Sequence, residues 1–185
     1  GDVMRVCPNE ECPGRVYEGL VHFASREAMD IRGLGAERVR QLLDTGLVHN
    51  AADLYRLTTE QLVSLERFAD QSASQLVAGI AASRDRPLSV LLFALGIRHV
   101  GKAVAQLLAR RFGNMARLAE AAREEIEAVP GVGPAIAEEV TGFFREPASR
   151  RLLADLAEAG VRMEEPRSVA AGGPLAGRSF VLTGT

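Results

Sequence analysis

Four short segments of the chain resemble one another: Arg32-Gly33-Leu34-Gly35, Arg67-Phe68-Ala69-Asp70, Arg98-His99-Val100-Gly101 and Pro130-Gly131-Val132-Gly133. Their centres recur at roughly 32–34 residues, the size of one small supersecondary unit. Each lies between stretches whose apolar residues step by three and four. After the first come Val39, Leu42, Leu43 and Leu47. Before the third lie Leu88, Leu91, Leu92 and Leu95, and after it Val104, Leu107, Leu108 and Phe112. Ile136, Val140, Phe143 and Phe144 follow the fourth. Such steps put each set on one helix face. Two helices joined by a tight turn cannot bury those faces alone, but four such units can bury them against one another. The expected fold is therefore all-α, a compact tandem array of four helix-hairpin-helix motifs.

The Gly-apolar-Gly turn has a chemical use. Glycine reaches positive φ and carries no Cβ, so a ligand can approach the backbone closely. The next helix starts there with unsatisfied N–H groups and a partial positive charge. Together they suit a phosphate. The candidate DNA-contacting residues are Gly33, Leu34, Gly35 and Arg38 at the first turn, and Gly96, Arg98, His99, Gly101 and Lys102 at the third. Gly131, Val132 and Gly133 complete the set at the fourth. The second turn has Ala69 where glycine is expected, followed by Asp70, which would repel a phosphate; it is expected to be structural. Contacts of this kind read backbone and imply little sequence preference.

Charge bears on this reading. The formal net charge is −2, whereas duplex binding usually relies on a basic surface. A backbone grip needs few charged side chains, which reconciles the two. The cations are almost all arginine, with Lys102 the only lysine. No apolar run is long enough to cross a bilayer, and the first residues lack the basic-then-apolar pattern of a signal peptide. The expectation is a cytoplasmic monomer without membrane contact. No phosphate-binding Walker sequence and no Gly-x-Ser-x-Gly occurs, and no catalytic residue is assigned. Glu124, Glu125, Glu138 and Glu139 read as solvated helix surface.

Cys7 and Cys12 are the only cysteines, spaced as half of a zinc site. A structural zinc needs four ligands, and His22, His49 and His99 show no ligand spacing. Either the other ligands precede Gly1 or the thiols are unrelated. Residues 164–174 are rich in Gly, Ala and Pro and read as a linker. Phe180-Val181-Leu182-Thr183 beyond is strand-like and has no partner strand, so the sequence looks truncated there. The expected division is a partial zinc finger over 1–15, the helical domain over 16–163, the linker, and the start of a further domain over 175–185.

These residues together resemble the C-terminal half of bacterial NAD-dependent DNA ligases. Cys7-Pro8-Asn9 with Cys12-Pro13 looks like the second half of that family's four-cysteine zinc finger. His22-Phe23 to Arg26 and Ala28 to Gly35 look like its finger-to-hairpin junction. Leu92-Phe93-Ala94-Leu95-Gly96-Ile97-Arg98 with Val100-Gly101 is similar to its third hairpin, the most specific match. Leu175-Ala176-Gly177-Arg178 and Phe180 to Gly184 look like the first strand of its BRCT domain. The resemblance implies nicked double-stranded DNA as partner, held on both sides of the nick, and zinc at Cys7 and Cys12. It also implies that NAD and Mg2+ act in parts of the parent enzyme that this chain lacks. The family's nucleophilic lysine lies in Lys-x-Asp-Gly, whereas Lys102 is followed by Ala-Val-Ala. Two other readings compete: a helix-hairpin-helix module of another repair protein, and a protein–protein interaction domain.

Overall fold

A computed structural model describes residues 13–166. Among them are eleven α-helices and no strand. They are α1 (Pro13–Ala24), α2 (Ala36–Asp44), α3 (Ala51–Leu54), α4 (Thr59–Val63), α5 (Asp70–Ser83), α6 (Leu88–Ala94), α7 (Lys102–Phe112), α8 (Met115–Glu120), α9 (Arg123–Glu127), α10 (Pro134–Arg145) and α11 (Pro147–Glu158). Local chemistry starts and stops many of them. The Asn50 and Asn114 side chains accept the N–H groups of Asp53 and Arg117, capping α3 and α8. Thr58 and Gln61 cap α4 reciprocally. Pro134 and Pro147 open α10 and α11, where a missing N–H costs nothing. Gly113 ends α7 at φ +81°.

The apolar stripes meet in one core. Leu42, Leu88, Leu91, Leu92, Leu108 and Val140 are fully buried, and Leu43, Leu95, Val104 and Phe143 pack around them half-buried. Removing one such side chain, Leu92→Ala for example, costs about 2–5 kcal/mol through lost burial and the cavity left behind.

The four turns are not equivalent units in a row; they form two pairs of like construction. In the first pair α1–α2 and α4–α5 flank the short α3. In the second α6–α7 and α9–α10 flank the short α8, and α11 closes the array. Backbone angles repeat with the pair. Asp30 (φ +53°) and Gly96 (φ +71°) are both left-handed three residues before the first and third turn centres, Gly33 and His99. The second and fourth turns lack this feature.

The pairs are joined by the short stretch between α5 and α6 and braced on two sides. On one, His22 of α1 donates from Nε2 to the Phe93 carbonyl of α6 at 2.7 Å, its ring meeting the Phe93 ring edge-on. On the other, Arg84 just after α5 lies over the Tyr55 ring and donates to the Ala159 carbonyl at 2.7 Å. Buried Tyr55 and Ser83 share a hydrogen bond of 2.7 Å, and burial pushes the Tyr55 phenol above its ordinary pKa. Glu164 and Glu165, expected to begin the linker, are instead bound to the body. The N–H of Leu88 donates to the Glu164 carbonyl and that of Glu165 to the Gly113 carbonyl. The rest of the expected linker from residue 167, the strand-like end over 175–185, and residues 1–12 lie outside the described residues.

Candidate nucleic-acid interface

All four turns have one local geometry. A left-handed residue comes first: Gly33 (φ +89°), Arg67 (+68°), His99 (+70°) and Gly131 (+94°). A buried apolar residue follows, Leu34, Phe68, Val100 or Val132. Each of these donates its N–H back across the turn, to the carbonyl of Ile31, Leu65, Ile97 or Val129. Next comes an extended N-cap residue, Gly35, Ala69, Gly101 or Gly133, whose carbonyl accepts the first bond of the new helix. This corrects the register of the second repeat. Its counterpart of Arg32-Gly33-Leu34-Gly35 is Glu66-Arg67-Phe68-Ala69, one residue earlier than the side-chain pattern places it. The buried Phe68 and the left-handed Arg67 fix that alignment.

The shared geometry sorts the candidate residues. Leu34 and Val132 bury their side chains and spend their N–H groups inside the turn, so what they supply is the turn itself. Gly96 is the left-handed residue that terminates α6. It precedes the turn it was grouped with. Gly35 and Gly101 are exposed and Gly133 half-buried. Their N–H groups have no partner among the described residues, and a Cβ on any of them would meet nothing within 4 Å. With the first-turn amides of α2, α7 and α10, they form three clusters of free donors at the positive ends of helices. Pro134 leaves α10 one donor fewer.

The second turn is closed. Ser72 turns back and its Oγ accepts the Ala69 N–H at 3.0 Å, occupying the donor that is free at the other three N-caps. Asp70 adds a carboxylate in the first turn of α5. Arg38, expected to reach a phosphate, is engaged here. Its Nη1 donates to the Gly33 carbonyl at 3.1 Å and its Nη2 to the Arg67 carbonyl at 3.2 Å. The guanidinium also lies 4.1 Å from the centre of the Phe68 ring. It thus ties together the left-handed residues at the centres of the first and second turns. Gln41 adds a bond to the Glu66 carbonyl. Sequence reasoning assigned Arg38 by its closeness to Gly35, and only the packing of α2 on the second turn shows what it binds. A serine at the third position of a helix whose N-cap has no side-chain acceptor was the available sign of the closure.

Side chains around the open turns are mixed in charge. Arg98 and His99 are exposed, and the structure gives Arg98 no partner among the described residues. Lys102 lies 3.5 Å from Glu27 and Arg67 3.7 Å from Glu37, loose exposed pairs that exchange readily for another anion, and exposed Arg32 lies 4.0 Å from half-buried Asp30. Glu138 lies 3.6 Å from Arg123, and Glu124 and Glu125 are exposed on α9.

Cys7 and Cys12 lie outside the described residues. Among the described ones no group of three or more His, Cys, Asp or Glu side chains is arranged to hold a metal ion. The histidines are dispersed: His22 faces Phe93, His49 lies 3.5 Å from Asp53, and His99 stands on the third turn. No described helix is long and apolar enough to cross a membrane.

Comparison with known proteins supports this division. Residues 25–82, which contain the first two turns, match the family model described as a SAM-like helix-hairpin-helix tandem. Residues 90–153, which contain the last two, match that of a helix-hairpin-helix motif. Among curated proteins the chain is 53% identical over 184 residues to a DNA ligase of Gemmatimonas aurantiaca, covering 100% of this chain and 27% of the relative. A DNA ligase of Syntrophotalea carbinolica is 50% identical over 187 residues, with 100% and 27% covered. One of Desulforudis audaxviator is 50% identical over 186 residues, with 100% and 28% covered. The chain therefore spans about a quarter of the length of the curated DNA ligases it matches, is similar to them along its whole length, and carries helix-hairpin-helix sequence in both of its hairpin pairs.

Proposed function

We propose that this chain is the part of an NAD-dependent DNA ligase that holds the duplex around a nick, gripping the phosphate backbone without sequence preference. The observation that carries the proposal is the threefold recurrence of an open glycine N-cap, at Gly35, Gly101 and Gly133, each with free amides at the start of a helix. Anions bind such helix starts through the backbone and the helix dipole. In this reading all four turns are helix-hairpin-helix units, three that grip and one that supports. Arg98, His99 and Lys102 add cations at the third turn. The identity of about 50% to DNA ligases favours this parent over another repair protein. Adenylylation with NAD, and sealing with Mg2+, would take place on other parts of the parent; this chain binds and orients the duplex. Cys7 and Cys12 would supply two of four zinc ligands, and the monomer is cytoplasmic.

A salt titration with labelled nicked duplex tests the proposal. Binding is expected to weaken steeply with salt, in proportion to the phosphates contacted, and to vary little with sequence. No binding at low salt would sink it. In a companion experiment, incubation with labelled NAD should leave the chain unlabelled. A label on Lys102 would overturn the assignment of the chemistry to other parts.

A further inference from the structure

Between the two hairpin pairs the chain has only the short stretch Arg84 to Pro87, which belongs to no helix. The segment from Val161 to Glu165 lies across this joint and is anchored at three places. At the end of the first pair, the Arg162 N–H donates to the Arg84 carbonyl at 2.8 Å. At the start of the second, the N–H groups of Leu88 and Ser89 donate to the Glu164 carbonyl at 3.1 Å and to Glu165 Oε1 at 2.9 Å. At the α7–α8 corner, Met115 N–H donates to the Met163 carbonyl at 2.8 Å and Glu165 N–H to the Gly113 carbonyl at 2.9 Å. These bonds fill a specific need. The first amides of a helix require acceptors from outside it, and the N-cap of α6 is Pro87, whose side chain has none. The acceptors for α6 therefore come from a segment far along the chain.

We propose that Val161 to Glu165 is a latch that fixes the spacing of the two hairpin pairs, with Glu165 as its positioning residue. It touches both sides of the joint and the base of the third hairpin, where α6 begins and α7 ends. The first turn belongs to one pair and the third and fourth to the other. A duplex presents its phosphates at set intervals, so simultaneous engagement depends on that spacing. This consequence for binding rests on the DNA-holding reading above; the latch itself does not.

The test uses the full chain with fluorophores at Glu60 on α4 and Glu120 on α8, both exposed and outside the turns, introduced as unnatural amino acids so that the cysteines are untouched. Glu165→Ala is expected to broaden the distance distribution between the dyes. Glu165→Gln, which keeps an acceptor for the Ser89 N–H, is expected to restore it. On nicked duplex Glu165→Ala should weaken binding about five- to ten-fold, the size of a lost helix cap. Its salt slope should not change, because no phosphate contact is removed. A distribution unchanged in Glu165→Ala overturns the latch. A broadened distribution with unaltered affinity overturns its positioning role. Absence of binding by the wild-type chain would defeat the DNA reading, while the distance measurement would still decide the latch.

Discussion

Two arginines show how little a residue's type says about its task. Arg38 and Arg98 both stand beside a turn, yet Arg38 bridges two carbonyls and covers Phe68 while Arg98 projects into solvent. Arg38→Ala is expected to destabilise the fold by about 1–2 kcal/mol, from two lost hydrogen bonds and a cation–π contact. It should leave the salt slope of DNA binding unchanged. Arg98→Ala should leave melting unaffected and lower that slope by about one. The two slopes, measured together, check both roles. Tyr55 yields a prediction in pH. Burial raises its phenol pKa, so above the unfolded value near 10 the folded chain keeps a proton that the unfolded chain has lost. The stability involved is complete below that value and is lost as pH rises through the folded pKa. Melting temperatures from pH 8 to 11 should fall less steeply in Tyr55→Phe. Parallel curves would contradict this.

At the level of the element, the turn separates two kinds of glycine. Gly33 and Gly131 are left-handed, and a Cβ at Gly131 would come within 2.8 Å of Leu107 Cδ1. Gly131→Ala should cost about 1–2 kcal/mol in backbone conformation alone, read as a drop in melting temperature. Gly101 and Gly133 have ordinary extended angles and open surroundings. Gly101→Leu and Gly133→Leu should melt within about 1 kcal/mol of the wild type, yet lose nicked-duplex affinity because the side chain covers the free amides. If both Leu variants bind normally, the backbone grip is wrong. The second turn offers the reverse experiment. Ser72→Ala combined with Asp70→Asn frees the Ala69 N–H and removes a carboxylate from a helix start. Binding is expected to tighten about two- to five-fold, the usual scale of a charge at a helix end.

For the whole molecule, a net charge of −2 is compatible with a duplex partner because the proposed contacts are amides concentrated at three helix starts. Their relative placement depends on the two pairs being held together, by His22 against Phe93 and by Arg84 and the segment to Glu165. These braces join residues far apart in the chain and, Glu165 Oε1 apart, use backbone carbonyl acceptors, which leave no side-chain signature.

Much of the architecture was legible in the sequence. Apolar steps of three and four named the buried faces, and the repeated turns predicted helix pairs. These are local properties: a helix face, a cap or a left-handed residue depends on the few residues around it. The alternation of paired turns, the closure of the second turn by Ser72, the engagement of Arg38, the left-handed backbone of His99 and Arg67, and the docking of Glu164 and Glu165 came only from the tertiary structure. Each depends on which carbonyl or ring another part of the chain brings within reach, and spacing along a sequence does not carry that information.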